Sequence, residues 1–189
     1  MKRSSFLSAL SSIAGLLIFP LKGVASFLLP GKGYKVKAGN DRFDKPITLL
    51  EGDTFYTKVS SKDTEGRMYM FESTRVKKGG PTHHFHYEQD EIWYILEGEF
   101  LFKIGEETHT AKAGDTIFGP KGIPHSFSKV NEGIAKMIII FEPAGKMEEF
   151  FIAVAAGKLK DLSVEQQNIF RKEHGFESVG PGIGYQKKF

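Results

Sequence analysis

GGPTHHFHYEQDEIWYILEGEF, residues 79–100, is the stretch that decides the fold. It opens on a turn signal, Gly79-Gly80-Pro81, and closes on a second one at Glu97-Gly98. Between them, residues 91–96 alternate as a strand does, with Trp93 and Ile95 on the face of Glu91. His84 and His86 lie two apart, so on a strand both imidazoles leave the same face at a spacing that one metal ion can bridge. His83 and Asp90 have the opposite parity, which places His83 at the surface or behind its neighbours. Glu88 and Gln89 read as solvated turn residues, and His109 and His174 as exposed. His125 starts a later strand, 34 positions after Glu91, in GDTIFGPKGIPHSF, residues 114–127. Three neutral imidazoles and one carboxylate suit a divalent first-row metal such as Fe, Mn, Ni, Cu or Zn, with positions left open for water, substrate or dioxygen.

Outward from this stretch, short β-type segments cover residues 54–59, 67–76, 91–96, 99–104, 108–111, 116–118, 125–130 and 135–141. Turn signals at Gly66, Gly105, Gly114-Asp115, Pro120 to Pro124 and Asn131 to Gly133 separate them. Phe55, Thr57 and Val59 share one face, as do Phe100, Phe102 and Ile104. Many short strands at this spacing predict an all-β sandwich or barrel. MIIIF, residues 137–141, is apolar on both faces, so a C-terminal helix or a second subunit is expected over its outer side. After Pro143-Ala144-Gly145 the period changes: Phe150, Phe151, Val154 and Ala155 mark one amphipathic helix. A second begins at Ser163, whose capping box uses Gln166, and stops near His174-Gly175.

Composition narrows the function classes. The chain of 189 residues is 40% hydrophobic and 26% charged, which fits one globular domain. Of its 26 basic residues, Lys2, Arg3, Lys22, Lys32, Lys35 and Lys37 fall in the first 40 positions with no acid, leaving 20 basic against 23 acidic residues beyond. The globular part is therefore not basic, which argues against a nucleic-acid partner. With no cysteine there is no disulfide, thiolate site or cysteine nucleophile. Lys2-Arg3, the uncharged apolar run of residues 4–19, Pro20 and the small residues at 23–26 follow the order of a secretory signal, with cleavage expected after Ala25 or Ser26. That reading makes the protein exported and periplasmic, or membrane-anchored if the segment stays attached. Residues 1–25 are thus the signal or anchor, 26–46 a linker and arm, 47–143 the barrel and 144–189 a helical extension.

The motifs resemble those of the cupin superfamily. Its first motif, G-x5-H-x-H-x(3,4)-E-x6-G, is matched by His84, His86, Glu91 and Gly98, with Gly79 one position nearer His84 than the pattern asks. Its second, G-x5-P-x-G-x2-H-x3-N, is matched by Gly114, Pro120, Gly122 and His125; Lys129 stands where the motif has Asn, and the nearest is Asn131. That departure bears on loop geometry more than on a metal. GGPTHHFHYEQDE, GPKGIPHSF, FEPAG and EHGFESVGP look like single-domain bacterial cupins similar to quercetin 2,3-dioxygenase.

The resemblance implies a double-stranded β-helix, or jelly-roll barrel, followed by two short helices, and a homodimer. It makes His84, His86, Glu91 and His125 the metal ligands, and Glu91 also the base that takes a substrate hydroxyl proton, a role favoured if Trp93 and nearby aromatics raise its pKa. Phe127, with Tyr69 or Phe71, would line a pocket for an aromatic small molecule. Three readings stay open: a metal-dependent dioxygenase on a small organic, phenolic substrate; an isomerase, epimerase or hydrolase using the ion as a Lewis acid; and a non-catalytic periplasmic binding protein.

Overall fold

A computed structural model describes residues 32–49 and 52–184; the signal segment expected at residues 1–25 lies outside them. In chain order the strands are β1 (Ile47–Thr48), β2 (Thr54–Val59), β3 (Tyr69–Arg75), β4 (His83–His86), β5 (Asp90–Glu97), β6 (Glu99–Ile104), β7 (Glu107–Lys112), β8 (Thr116–Gly119), β9 (His125–Lys129) and β10 (Ala135–Glu142). Helices α1 (Met147–Ala155) and α2 (Val164–Glu173) follow, and then β11 (Phe176–Gly180).

Two sheets form, ordered β1-β2-β3-β10-β5-β8 and β11-β4-β9-β6-β7. Within them β3, β10, β5 and β8 face β4, β9, β6 and β7, the strand order of a jelly roll, and every pairing is antiparallel. Period-2 patterning sets which side chains fill the interior: Phe71, Trp93, Ile95, Phe100, Phe102 and Phe127 point in and are buried. Their rings pack edge-to-face or tilted, as in Trp93 on Phe102 at 5.2 Å and Phe102 on Phe127 at 5.7 Å between centroids. The β5–β6 turn depends on Gly98, whose φ of +83° is left-handed and whose missing Cβ would lie 2.6 Å from that of Ala135.

The two expected helices are present. Ser163 caps α2 through the capping box with Gln166, and Gly175, at φ +93°, ends it. They do not cover the outer side of the MIIIF strand. Instead α1 sets Phe151 against inward-facing Phe55, Phe71 and Phe141, closing one end of the interior. The reason is that the inner rings of that end offer a larger apolar surface than Ile138 and Ile140, which stay half-buried between Glu72 and Met70 on β3 and Tyr94 and Ile92 on β5. The extension is also not purely helical. After Gly175 the chain returns as β11 and pairs with β4, setting Phe176 opposite His86 and Ser178 opposite His84. FESVG is too short for its alternation to stand out beside two helices.

Phe102 is fully buried among these rings. Phe102→Ala is expected to cost about 3–5 kcal/mol in urea unfolding; a loss below about 1 kcal/mol would mean that the aromatic interior is not the main core.

Candidate metal centre

His84 and His86 project inward from β4, and His125 faces His84 from the first position of β9. Glu91 comes from the opposite sheet, on β5 between Phe141 of β10 and Gly119 of β8. All four are buried, and one ligand atom from each lies within 4.8 Å of the other three. Glu91 Oε2 is 3.1 Å from His125 Nε2, 3.2 Å from His86 Nε2 and 4.0 Å from His84 Nε2. Two bonds of about 2.1 Å to one ion span at most about 4.2 Å, so these separations suit a shared cation.

The hydrogen bonds say more. His84 Nδ1 lies 2.7 Å from the Thr82 carbonyl and His125 Nδ1 2.9 Å from the Ile123 carbonyl. A carbonyl only accepts, so each ring carries its proton on Nδ1 and, when neutral, turns a bare Nε2 lone pair to the centre. For His125 that lone pair meets the Glu91 carboxylate at 3.1 Å, acceptor against acceptor. His86 adds a buried Nδ1 with no hydrogen-bond partner among the described residues. Such convergence needs positive charge between the groups; protons on the rings can supply part of it, and a divalent ion would supply it to all four donors at once. The residues present therefore fit a metal.

Comparison with known proteins bears on the region that holds these residues. Residues 72–141 match the family model described as Cupin domain. That stretch, which holds all four candidate ligands, is a cupin domain. An uncharacterized protein of Methanocaldococcus jannaschii is 35% identical to this cupin over 66 residues, which are 35% of this chain and 53% of that one. Quercetin 2,3-dioxygenase of Bacillus subtilis is 28% identical over 104 residues, 54% of this chain and 30% of that protein. The cupin thus spans about half the length of the first curated relatives it matches, and less of the dioxygenase. Among solved structures, an RmlC-like cupin from Shewanella frigidimarina superposes with a TM-score of 0.49 at 18% identity, covering 64% of this chain and 96% of that one.

The cupin's own scaffold fixes the four side chains. Gly119 must lack a side chain, because a Cβ there would lie 2.7 Å from the Trp93 ring and 3.3 Å from His125 Nδ1. Trp93 in turn packs edge-on against the His125 ring at 5.3 Å. Gln89, expected in a solvated turn, is 3% exposed. Its amide fills the space left by Gly145 and Gly175, tying the β4–β5 turn to the start of α1 and the end of α2. His83 is half-buried, its Nδ1 3.2 Å from Ser126 Oγ, and His174 is half-buried rather than exposed because its ring lies 4.2 Å from that of Phe170. Asn131 takes up a turn role two positions past the motif's place, accepting from the Glu99 amide at 3.1 Å. Lys129, at the motif's own position, donates from Nζ to the Asn131 carbonyl at 2.7 Å.

A cavity of about 360 Å³ opens on His84 and Glu91. Phe71 and Phe127 line it as expected, whereas Tyr69 does not, being buried with its hydroxyl 3.4 Å from Thr57 Oγ1. Sequence reasoning missed the rest of the wall: Met147, Phe150, Phe151 and Val154 of α1, Arg171 of α2, Phe176 of β11, and the buried Arg75–Asp53 ion pair at 2.6 Å. The period change at residue 145 revealed the helix, but nothing in it said which surface the helix would cover.

Titration of the centre corrects one expectation. Burial pushes the Glu91 carboxyl up, but in the metal-free centre protons on the His125 and His86 Nε2 atoms take the cation's place, and the hydrogen bonds and charge they bring outweigh burial and hold the group at about 2, so the pKa is lowered rather than raised. Burial lowers His84 to about 3, helped by the neighbouring His125 and His86, so its ring is neutral and able to ligate at physiological pH. Both shifts act in one direction on stability. An unfolded histidine takes up its proton near pH 6.5 and folded His84 only near 3, while Glu91 is protonated near 4.5 unfolded and near 2 folded. Metal-free protein should therefore lose stability as pH falls from 6.5 towards 3. His84→Gln should flatten this slope in thermal unfolding monitored by circular dichroism across that range; an unchanged slope would contradict the assignment.

Proposed function

We propose that this cupin is a metal-dependent dioxygenase acting on a small, phenolic organic molecule. One observation carries the reading: three imidazoles and a carboxylate converge at the wall of an aromatic-lined cavity, with ligand atoms within 4.8 Å of one another. His84, His86, Glu91 and His125 hold the ion, whose identity among Fe, Mn, Ni, Cu and Zn the donor set leaves to geometry and supply. When bound, the ion supplies Lewis acidity towards a hydroxyl oxygen and, if redox-active, a route for electrons to dioxygen. Phe71, Phe141, Phe150 and Phe176 exclude water and accept an aromatic ring. Glu91 takes the hydroxyl proton on its carboxylate; with its pKa held low, it does so only from a hydroxyl whose own acidity has been raised. Similarity to quercetin 2,3-dioxygenase of Bacillus subtilis supports this reading over a purely Lewis-acid reaction.

The experiment is oxygen uptake by metal-loaded protein with a panel of flavonols and simpler phenols. Consumption matched to substrate loss is expected, and Glu91→Gln should lower kcat by about 10²–10⁴-fold. Equal turnover under nitrogen would overturn the oxygenase reading in favour of Lewis-acid chemistry, and tight binding without product would favour a binding protein. A second copy of this chain seated on the outer face of the β1–β8 sheet is proposed separately, on the strength of Tyr94 and Phe118 there, 43% and 54% exposed. Sedimentation at micromolar concentration should give a dimer; a monomer overturns that part alone.

A further inference from the structure

The charged groups around the cavity do not cancel. Asp53 and Arg75 neutralise each other in a buried ion pair. Glu91 would offset one charge of a divalent ion bound at the centre. Arg171, on the last turns of α2, lines the same cavity and pairs only with neutral groups: Nη1 donates to Asn168 Oδ1 at 3.0 Å and Nη2 to Gln167 Oε1 at 3.3 Å. No ion pair joins it to a carboxylate among the described residues. Burial alone lowers its pKa, in keeping with a partly desolvated guanidinium beside no acid.

Its position is also fixed. Gln167 Nε2 donates to the Leu162 carbonyl at 3.1 Å and reaches that of Leu159 at 3.4 Å, which leaves its own Oε1 facing Arg171. Those two contacts employ two of the five N–H donors of a guanidinium, whose fork matches a carboxylate. Phe150 and Phe176, in edge contact at 4.8 Å, line the cavity along with Arg171 and the His84/Glu91 pair.

We propose that Arg171 is the anion receptor of this cavity and that the substrate is an aromatic carboxylate, its acid group on Arg171, its ring among Phe150 and Phe176, and its reacting end towards Glu91. The inference rests on the reading of the cavity as the substrate site and adds the substrate's charge to it. Arg171 is a specificity-determining residue, distant in sequence from both motifs.

The test is calorimetric binding of 2-naphthylacetate and its neutral amide, 2-naphthylacetamide, to the protein as purified, to Arg171→Gln and to Arg171→Lys. The native protein should prefer the carboxylate by about 10- to 100-fold, as a charge-assisted pair warrants. Arg171→Gln should remove the preference while leaving amide affinity, metal content and thermal stability unchanged, and Arg171→Lys should keep part of it. Higher salt should weaken the preference, not amide binding. Equal affinities, no binding of either compound up to millimolar concentration, or a preference that Arg171→Gln retains would overturn the proposal. Repeating the comparison in a His86→Ala background separates the two readings: a preference that still depends on Arg171 there stands on its own if metal-dependent chemistry fails, whereas one that vanishes there belongs to the ion and overturns the role of Arg171.

Discussion

Two backbone carbonyls, those of Thr82 and Ile123, decide the chemistry of the interior. By accepting the Nδ1 protons of His84 and His125 they direct both Nε2 lone pairs inward, where Glu91 from the facing sheet presents a carboxylate oxygen. Four buried electron-pair donors then converge with too few protons to separate them. In water such a group would rotate or hydrate; between two packed sheets the rings cannot turn away. A bound cation would relieve the conflict, and the surrounding packing holds the four donors in place for it.

The jelly roll explains why the donors meet. β4 and β9 bring the three histidines together in one sheet, while β5 supplies Glu91 from the other, so the centre bridges the two layers and depends on their spacing. Trp93 and the bare backbone of Gly119 hold His125 from behind. β11 supports β4 from its outer edge, and the buried Gln89 side chain links the turn after β4 to both helices. The C-terminal segment is therefore part of the site's construction, and α1 and α2 supply the wall that gives the cavity its aromatic and cationic character.

Much of this was legible in the chain itself. Strand parity put His84 and His86 on one face and Glu91 and Trp93 on one face, all of them buried here, and the Ser163–Gln166 box marked the start of α2 to the residue. What escaped detection involved contacts between distant segments. Gln89 looks like a turn residue because its burial depends on Gly145 and Gly175, more than fifty positions away. Apolar periodicity identified α1 as amphipathic without saying that its partner would be the open end of the barrel and not the outer side of β10. The lowered pKa of Glu91 likewise follows from the rings of His86 and His125, which outweigh the desolvation that the aromatic sequence around it suggests. Local pattern gave side-chain direction, and long-range packing gave environment.

In the proposed function the centre and the cavity divide the chemistry between them: the four candidate ligands would provide a charged, oriented pole, and the aromatic wall with Arg171 shape and selectivity. The pole is primary, since four buried donor atoms converge there and a bound cation would satisfy all of them together. Equilibrium dialysis of the native chain against each of Fe, Mn, Ni, Cu and Zn, with metal counted per chain, tests this most directly. One ion per chain for at least one metal, lost in His86→Ala, is the predicted result. Substoichiometric binding of all five, or full occupancy retained by His86→Ala, would contradict the account.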